Sequence, residues 1–219
     1  MNKGILVIAV CIMELVVSCN GQTESNEFKE NRKLADTVVK DIPLNKKGRP
    51  SSYYQNKSNV ENKLGLKSLE NGFDSLQIRL WYGYAFKDSS QLVVLRNSNG
   101  KWTSELFTLV YHLNENGDAL KSISKEIITR DPKSGWGNFI DKVLKLQITT
   151  LPDMNKIKDY PDFADGDDII IEAAAKKYYR IYSYKEPNQV QFKIKEAKNI
   201  ERILELIENE FDFKRLRKL

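Results

Sequence analysis

The sequence predicts an α+β domain: an antiparallel β-sheet meander with two helices packed on one face. Three observations carry that expectation. Residues Leu76–Tyr84 alternate with a period of two, turn signals recur at short intervals between residues 87 and 118, and the apolar spacing turns helical at 134–146 and again at 197–211. The order strands, helix, strands, helix places one core within about residues 70–213, and about 145 residues suffice for an independent domain. The domain is accordingly assigned to 70–219, with no internal repeat and no second domain.

The first nineteen residues are read apart from the fold. Met1–Lys3 is a polar start with one positive charge, Ile5–Met13 is an unbroken apolar run, and Val16-Val17-Ser18-Cys19 closes the segment. The run is far shorter than the ~20 apolar residues that span a bilayer, and Glu14 interrupts it. A signal peptide, removed on export, is expected. Val16, Val17, Ser18 and Cys19 resemble the lipobox of bacterial lipoproteins, in which aliphatic and small residues precede a cysteine that is lipidated and becomes the new N-terminus. Cys11 follows the larger Val10 and fits that pattern less well. The resemblance implies removal of residues 1–18 and acylation of Cys19. The protein would then be anchored to the outer or inner membrane of the cell envelope, in the periplasm or facing the surface, without crossing the bilayer.

Residues 19–69 are expected to form the lipidated N-terminus and a polar tether, because this stretch is rich in Asn, Lys, Glu and Ser and buries too little to fold alone. Tyr53–Leu69 reads either as linker or as the first piece of the body. In the body, Leu76, Ile78, Leu80, Tyr82 and Tyr84 alternate with Gln77, Arg79, Trp81 and Gly83 in a first strand. Gln91–Arg96 is a second strand and Lys101–Leu113 a third. Asn116-Gly117 is a hairpin signal before a fourth strand at Leu120–Arg130.

Trp136, Phe139, Ile140, Val143 and Leu144 then make one helical stripe, with Ser134 as the expected N-cap. Leu151-Pro152 stops continuation, and an acidic loop leads to a hairpin of Ile169–Glu172 and Tyr178–Tyr184. Ala197–Phe211 is an amphipathic helix with Ile200, Ile203, Leu204, Ile207 and Phe211 inward. Together the strand meander, the Ser-Gly-Trp helix, the Leu-Pro break and the tyrosine-rich hairpin resemble uncharacterised secreted proteins of the Bacteroidetes type, a resemblance that implies no activity.

Charge and cysteine usage narrow the chemistry. Lys and Arg number 35 against 30 Asp and Glu, and the signal removes one of each sign, Lys3 and Glu14, so the net charge of +5 belongs to the exported part. The charges are interspersed, no basic cluster with interleaved aromatics occurs, and no nucleic-acid partner is expected. Once Cys11 is removed and Cys19 acylated, no thiol remains for a disulfide, a zinc site or a nucleophile. The single histidine, His112, reads as a hairpin residue, and neither G-x-S-x-G nor H-E-x-x-H occurs. No cofactor or metal is expected. Asp162, Asp165, Asp167 and Asp168 around Gly166 do not match the spacing of a calcium loop and read as a solvated acidic stretch.

Two functional classes stay open. A sheet face with exposed aromatic and basic side chains stacks on sugars or anchors a protein partner, and Arg79, Trp81, Tyr82, Arg180 and Tyr182 are the candidate ligand-binding residues for an envelope protein or glycan. The alternative is a hydrolase of envelope polymers or glycans that pairs Glu172 with an aspartate of the 162–168 loop. Glu172 equally reads as a hairpin residue bonded to Arg180 or to a tyrosine.

Overall fold

The computed structural model describes residues 38–45, 47–84, 88–117 and 119–216. The signal peptide and Cys19 lie outside the described residues. Seven strands form one mixed sheet: β1 (Val39–Asp41), β2 (Leu76–Gly83), β3 (Ser89–Ser98), β4 (Lys101–Leu113), β5 (Leu120–Ile128), β6 (Asp168–Ala175) and β7 (Tyr178–Lys185). Their order across the sheet is β1-β7-β6-β2-β3-β4-β5, with β1 parallel to β7 and every other pair antiparallel. The helices are α1 (Ser52–Leu64), α2 (Trp136–Lys145), the four-residue α3 (Pro187–Val190) and α4 (Lys195–Phe211).

One face of the sheet carries the larger core. Ile78, Leu80 and Tyr82 of β2, Val93 and Leu95 of β3, Ile169 and Ile171 of β6 and Tyr182 and Tyr184 of β7 pack against Phe139, Ile140 and Val143 of α2 and the Ile200–Phe211 stripe of α4. Phe139 meets Phe211 edge to face at 5.0 Å between ring centroids, a geometry that places the positive ring edge on the negative ring face. Leu144, at the end of the α2 stripe, stays 43% exposed. Gly135 rather than Ser134 caps α2, at φ 80°.

The fold remains α+β, but the pure antiparallel meander with two helices on one face is corrected in three respects. The sheet is mixed, because β1 joins β7 in parallel, and the β2–β5 meander is only one wing of it. The β6–β7 hairpin adds to the other edge of β2, in the register Leu80↔Ile171, so β2 is an interior strand. A period of two reports which face a side chain takes and carries no information on which edge the next strand joins. The third correction is a helix on the opposite face: α1 covers Leu92, Val94, Phe107 and Leu109 through Val60 and Leu64, and covers Tyr179 and Ile181 through Tyr53 and Tyr54.

The folded body thus takes in residues that the sequence reading placed in the tether. β1 pairs with β7 through Val39↔Tyr178 and Asp41↔Arg180, and α1 lies on the sheet. Neither element has the apolar content that marks a core element in sequence. β1 is held by main-chain pairing and by Asp41, whose carboxylate stands 3.3 Å from the Arg180 guanidinium. No helix among the described residues is long and apolar enough to cross a membrane.

Candidate functional site

The helix α1, sequence SYYQNKSNVENKL, carries few apolar side chains, and the residues it buries most deeply are Lys57, Glu61 and Leu64. Lys57 and Glu61 stand at i and i+4, which puts both on the face turned to the sheet. There they meet Arg79 of β2 and Glu172 of β6, side chains that share a sheet face because Arg79 and Glu172 are cross-strand partners. The Lys57 ammonium lies 3.3 Å from a carboxylate oxygen of each of Glu61, Glu70 and Glu172. The Arg79 guanidinium lies 2.6 Å from Glu61 and 4.0 Å from Glu172, and donates to the Lys67 carbonyl at 2.7 Å. Lys40 of β1 reaches Glu70 at 3.4 Å. Three cations, Lys40, Lys57 and Arg79, therefore offset three carboxylates, Glu61, Glu70 and Glu172.

Neutral donors complete the cluster. Trp81 Nε1 and the Tyr179 hydroxyl each donate to Glu172 at 2.9 Å, and the Tyr54 hydroxyl donates to Glu70 at 2.9 Å. The Lys57 ammonium also sits 5.4 Å from the centre of the Tyr179 ring. Burial opposes the charged form of Lys57, but the charges of Glu172, Glu61 and Glu70 prevail and hold the ammonium above its ordinary range. Lys57 is therefore a fixed cation and no amine nucleophile. Glu61 is pushed up, first by burial and then by the Glu172 charge, against the pull of Lys57 and Arg79. Burial also acts to raise Glu70, but the Tyr54 hydrogen bond and the Lys57 charge bring it below the usual carboxylate range.

Two cavities open beside this cluster. The first, of about 200 Å³, lies between α1 and the sheet and is walled by Tyr53, Val60, Trp81, Tyr111, Ile170 and Ile181, with Lys57 at its side. Val60, Trp81, Ile170, Tyr53 and Tyr111 are each partly exposed, so it is a cleft open to solvent. Several of its polar side chains are already bonded, while Asn56, which also lines it, is exposed. Ser90 and Tyr111 bond each other at 2.5 Å, Tyr53 donates to Asp153 at 2.9 Å, and Trp81 is bonded to Glu172. The second cavity, of about 360 Å³, lies under residues 65–73, beside Gln77, Arg79 and Arg96.

The five candidate ligand residues are not brought together on an exposed face. Strand alternation puts Arg79 and Trp81 under α1, and Tyr82 and Tyr182 in the larger core, where they are 1% and 0% exposed. Tyr182 donates to the Ile148 carbonyl at 2.5 Å. Arg180 turns to the same side as Tyr182, stacks 4.9 Å from its ring centre and donates to the carbonyls of Thr149 and Leu151 at 2.9 and 2.6 Å. Arg79 is 2% exposed in the ion cluster. Trp81 alone of the five turns its ring to an open cleft. No family model, curated protein or solved structure matches the chain.

Of the carboxylates in the hydrolase reading, Glu172 is sealed and Asp168 stands apart from it along β6. Asp168 and Glu172 are four residues apart on one strand, a span of about 13 Å against the roughly 5–10 Å that paired glycosidase carboxylates require. Glu172 is 0% exposed, and both its oxygens accept hydrogen bonds. It pairs across the hairpin with a tyrosine, Tyr179, while Arg180 points to the other face. His112 sits exposed near the end of β4, 2.8 Å from the Ser124 hydroxyl. Sequence reasoning missed Lys57, Glu61, Val60 and Ile170. The available signal was the unbroken run Leu92-Val93-Val94-Leu95, since a strand apolar at consecutive positions is buried on both faces and needs a second roof.

Proposed function

We propose that this chain is a lipid-anchored binding protein of the cell envelope, and that its ligand site is the Trp81 cleft between α1 and the sheet. The observation that carries the reading is the cleft itself. A concave, mostly apolar cleft of about 200 Å³ with a few polar groups at its side is the kind of surface that small ligands fill. The Glu172 hydrogen bond fixes the Trp81 ring, so the wall is rigid before anything binds. The walls suit a ring or a short aliphatic group carried by a small molecule.

Titration with indole, a ring that fits such a cleft, is expected to move the methyl resonances of Val60, Ile170 and Ile181 saturably. The Val60→Phe substitution, which fills the hollow, is expected to abolish those shifts while the fold persists. Shifts of equal size in the variant, or none in the parent, would remove the cleft as the binding site. The anchor is supported by the Val16–Cys19 pattern and has its own test. Cys19→Ala is expected to move the protein from membrane to soluble fractions, and unchanged partition would count against acylation.

A further inference from the structure

The second cavity differs in chemistry from the first and shares no lining residue with it. Its charged lining residues, Lys67, Arg79 and Arg96, are all cations. Two further features point at a ligand. Arg79 and Gln77 are each 2% exposed, and the Nε of Arg79 and the Nε2 of Gln77 are buried donors with no hydrogen-bond partner among the described residues. A buried N–H without an acceptor costs about 1–3 kcal/mol. Two of them, at i and i+2 on one strand face, lie against the same hollow. Arg96 joins them because it is the cross-strand partner of Gln77.

The wall is built before a ligand arrives. The loop is tied at its start by Gly65, left-handed at φ 74°, and by Leu66 N–H donating to the Glu61 carbonyl at 2.9 Å. At its end Phe73 N–H donates to the Ala175 carbonyl at 3.1 Å. Gly72 passes so close to the β6–β7 turn that a Cβ there would stand 2.7 Å from the Lys176 carbonyl oxygen, which only glycine avoids. Arg79 spends its terminal nitrogens on Glu61 and the Lys67 carbonyl, and Arg96 holds Glu105 at 3.3 Å on the half-exposed rim.

We propose that the pocket under residues 65–73 binds a small oxyanion, a carboxylate or phosphate group, through the Arg79 Nε–H, the Gln77 amide and the Arg96 guanidinium. Oxyanions accept from several N–H donors at once, and charge-assisted bonds of this kind are about twice as strong as neutral ones. The reading is independent of the Trp81 cleft and survives if that cleft is empty of function.

The test uses the full chain with sodium acetate and inorganic phosphate at low ionic strength, with chloride as the control. The readouts are the Arg79 Nε–H and Gln77 side-chain amide resonances. Saturable shifts of both, with one anion per chain, are expected. Gln77→Leu and Arg96→Met are each expected to weaken binding about tenfold, equivalent to about 1.4 kcal/mol. Tighter binding of acetate would mark a carboxylate site, and tighter binding of phosphate a phosphate site. The proposal is overturned if neither anion shifts these resonances, which leaves water as the acceptor, or if both variants bind as the parent does. Gln77→Leu leaves the ion cluster intact, and its unfolding midpoint separates lost binding from lost structure.

Discussion

Lys57→Met is expected to lower the stability of the fold by about 3–5 kcal/mol near neutral pH, the usual cost of removing one partner from a buried ion pair. Lys57 has 7% of its side chain exposed and stands 3.3 Å from three carboxylates, Glu61, Glu70 and Glu172. Methionine keeps the stem and its packing but leaves Glu172, which is 0% exposed, with two neutral donors and, among the described residues, no cation nearer than the Arg79 nitrogen at 4.0 Å. The loss has a pH signature. In the parent, Glu61 is raised, so its contribution is greatest below the ordinary carboxylate range and falls as pH rises through its folded value. Glu70 is lowered, partly by Lys57, so its contribution is present at neutral pH and disappears on acidification. Without Lys57 both carboxyls move up, and the variant suffers where they are ionised. The gap between variant and parent should therefore narrow as pH falls from neutrality through the carboxylate range in denaturant unfolding. A gap independent of pH would show that Lys57 acts through packing alone.

Phe139→Ala is expected to cost about 3–5 kcal/mol as well, but for a reason that pH does not touch. Phe139 is 0% exposed and meets Phe211 at 5.0 Å, joining α2 to α4 over the larger core. Truncation leaves a hollow that the two helices and the sheet cannot fully close. Leu144→Ala, on the same predicted stripe but 43% exposed, serves as the comparison and should change stability by no more than about 0.5 kcal/mol. The same denaturant series measures both, and equal losses would mean that α2 is not seated on its Phe139 face.

The two substitutions mark how far the sequence reaches. Phe139, Ile140 and Val143 recur at helical spacing, so their common face follows from the geometry of 3.6 residues per turn. The same holds for Ile200, Ile203, Leu204, Ile207 and Phe211 in α4. Lys57 offered no such pattern. A lysine in a polar stretch reads as solvated, and its burial depends on Arg79 and Glu172, which lie 22 and 115 positions further along the chain. The candidate site suffered from the same blindness: Trp81 stands partly exposed at the cleft, but Tyr82 next to it and Tyr182 are enclosed by helices whose placement the strand pattern does not encode.

The sequence by itself determined the strands β2 to β7 and the helices α2 and α4, and which of their side chains share a face, because both follow from local periodicity; it did not show the short α3. It also carried the Val16–Cys19 pattern on which the proposed anchor rests. Only the tertiary structure decided that β6 and β7 join the free edge of β2, that β1 runs parallel to β7, and that a polar helix roofs the second face of the sheet. Edge pairing and charge compensation are made by residues far apart in the chain. Desolvation opposes the burial of charged and main-chain polar groups, and the partners whose attraction and hydrogen bonds offset it lie outside any short window of sequence.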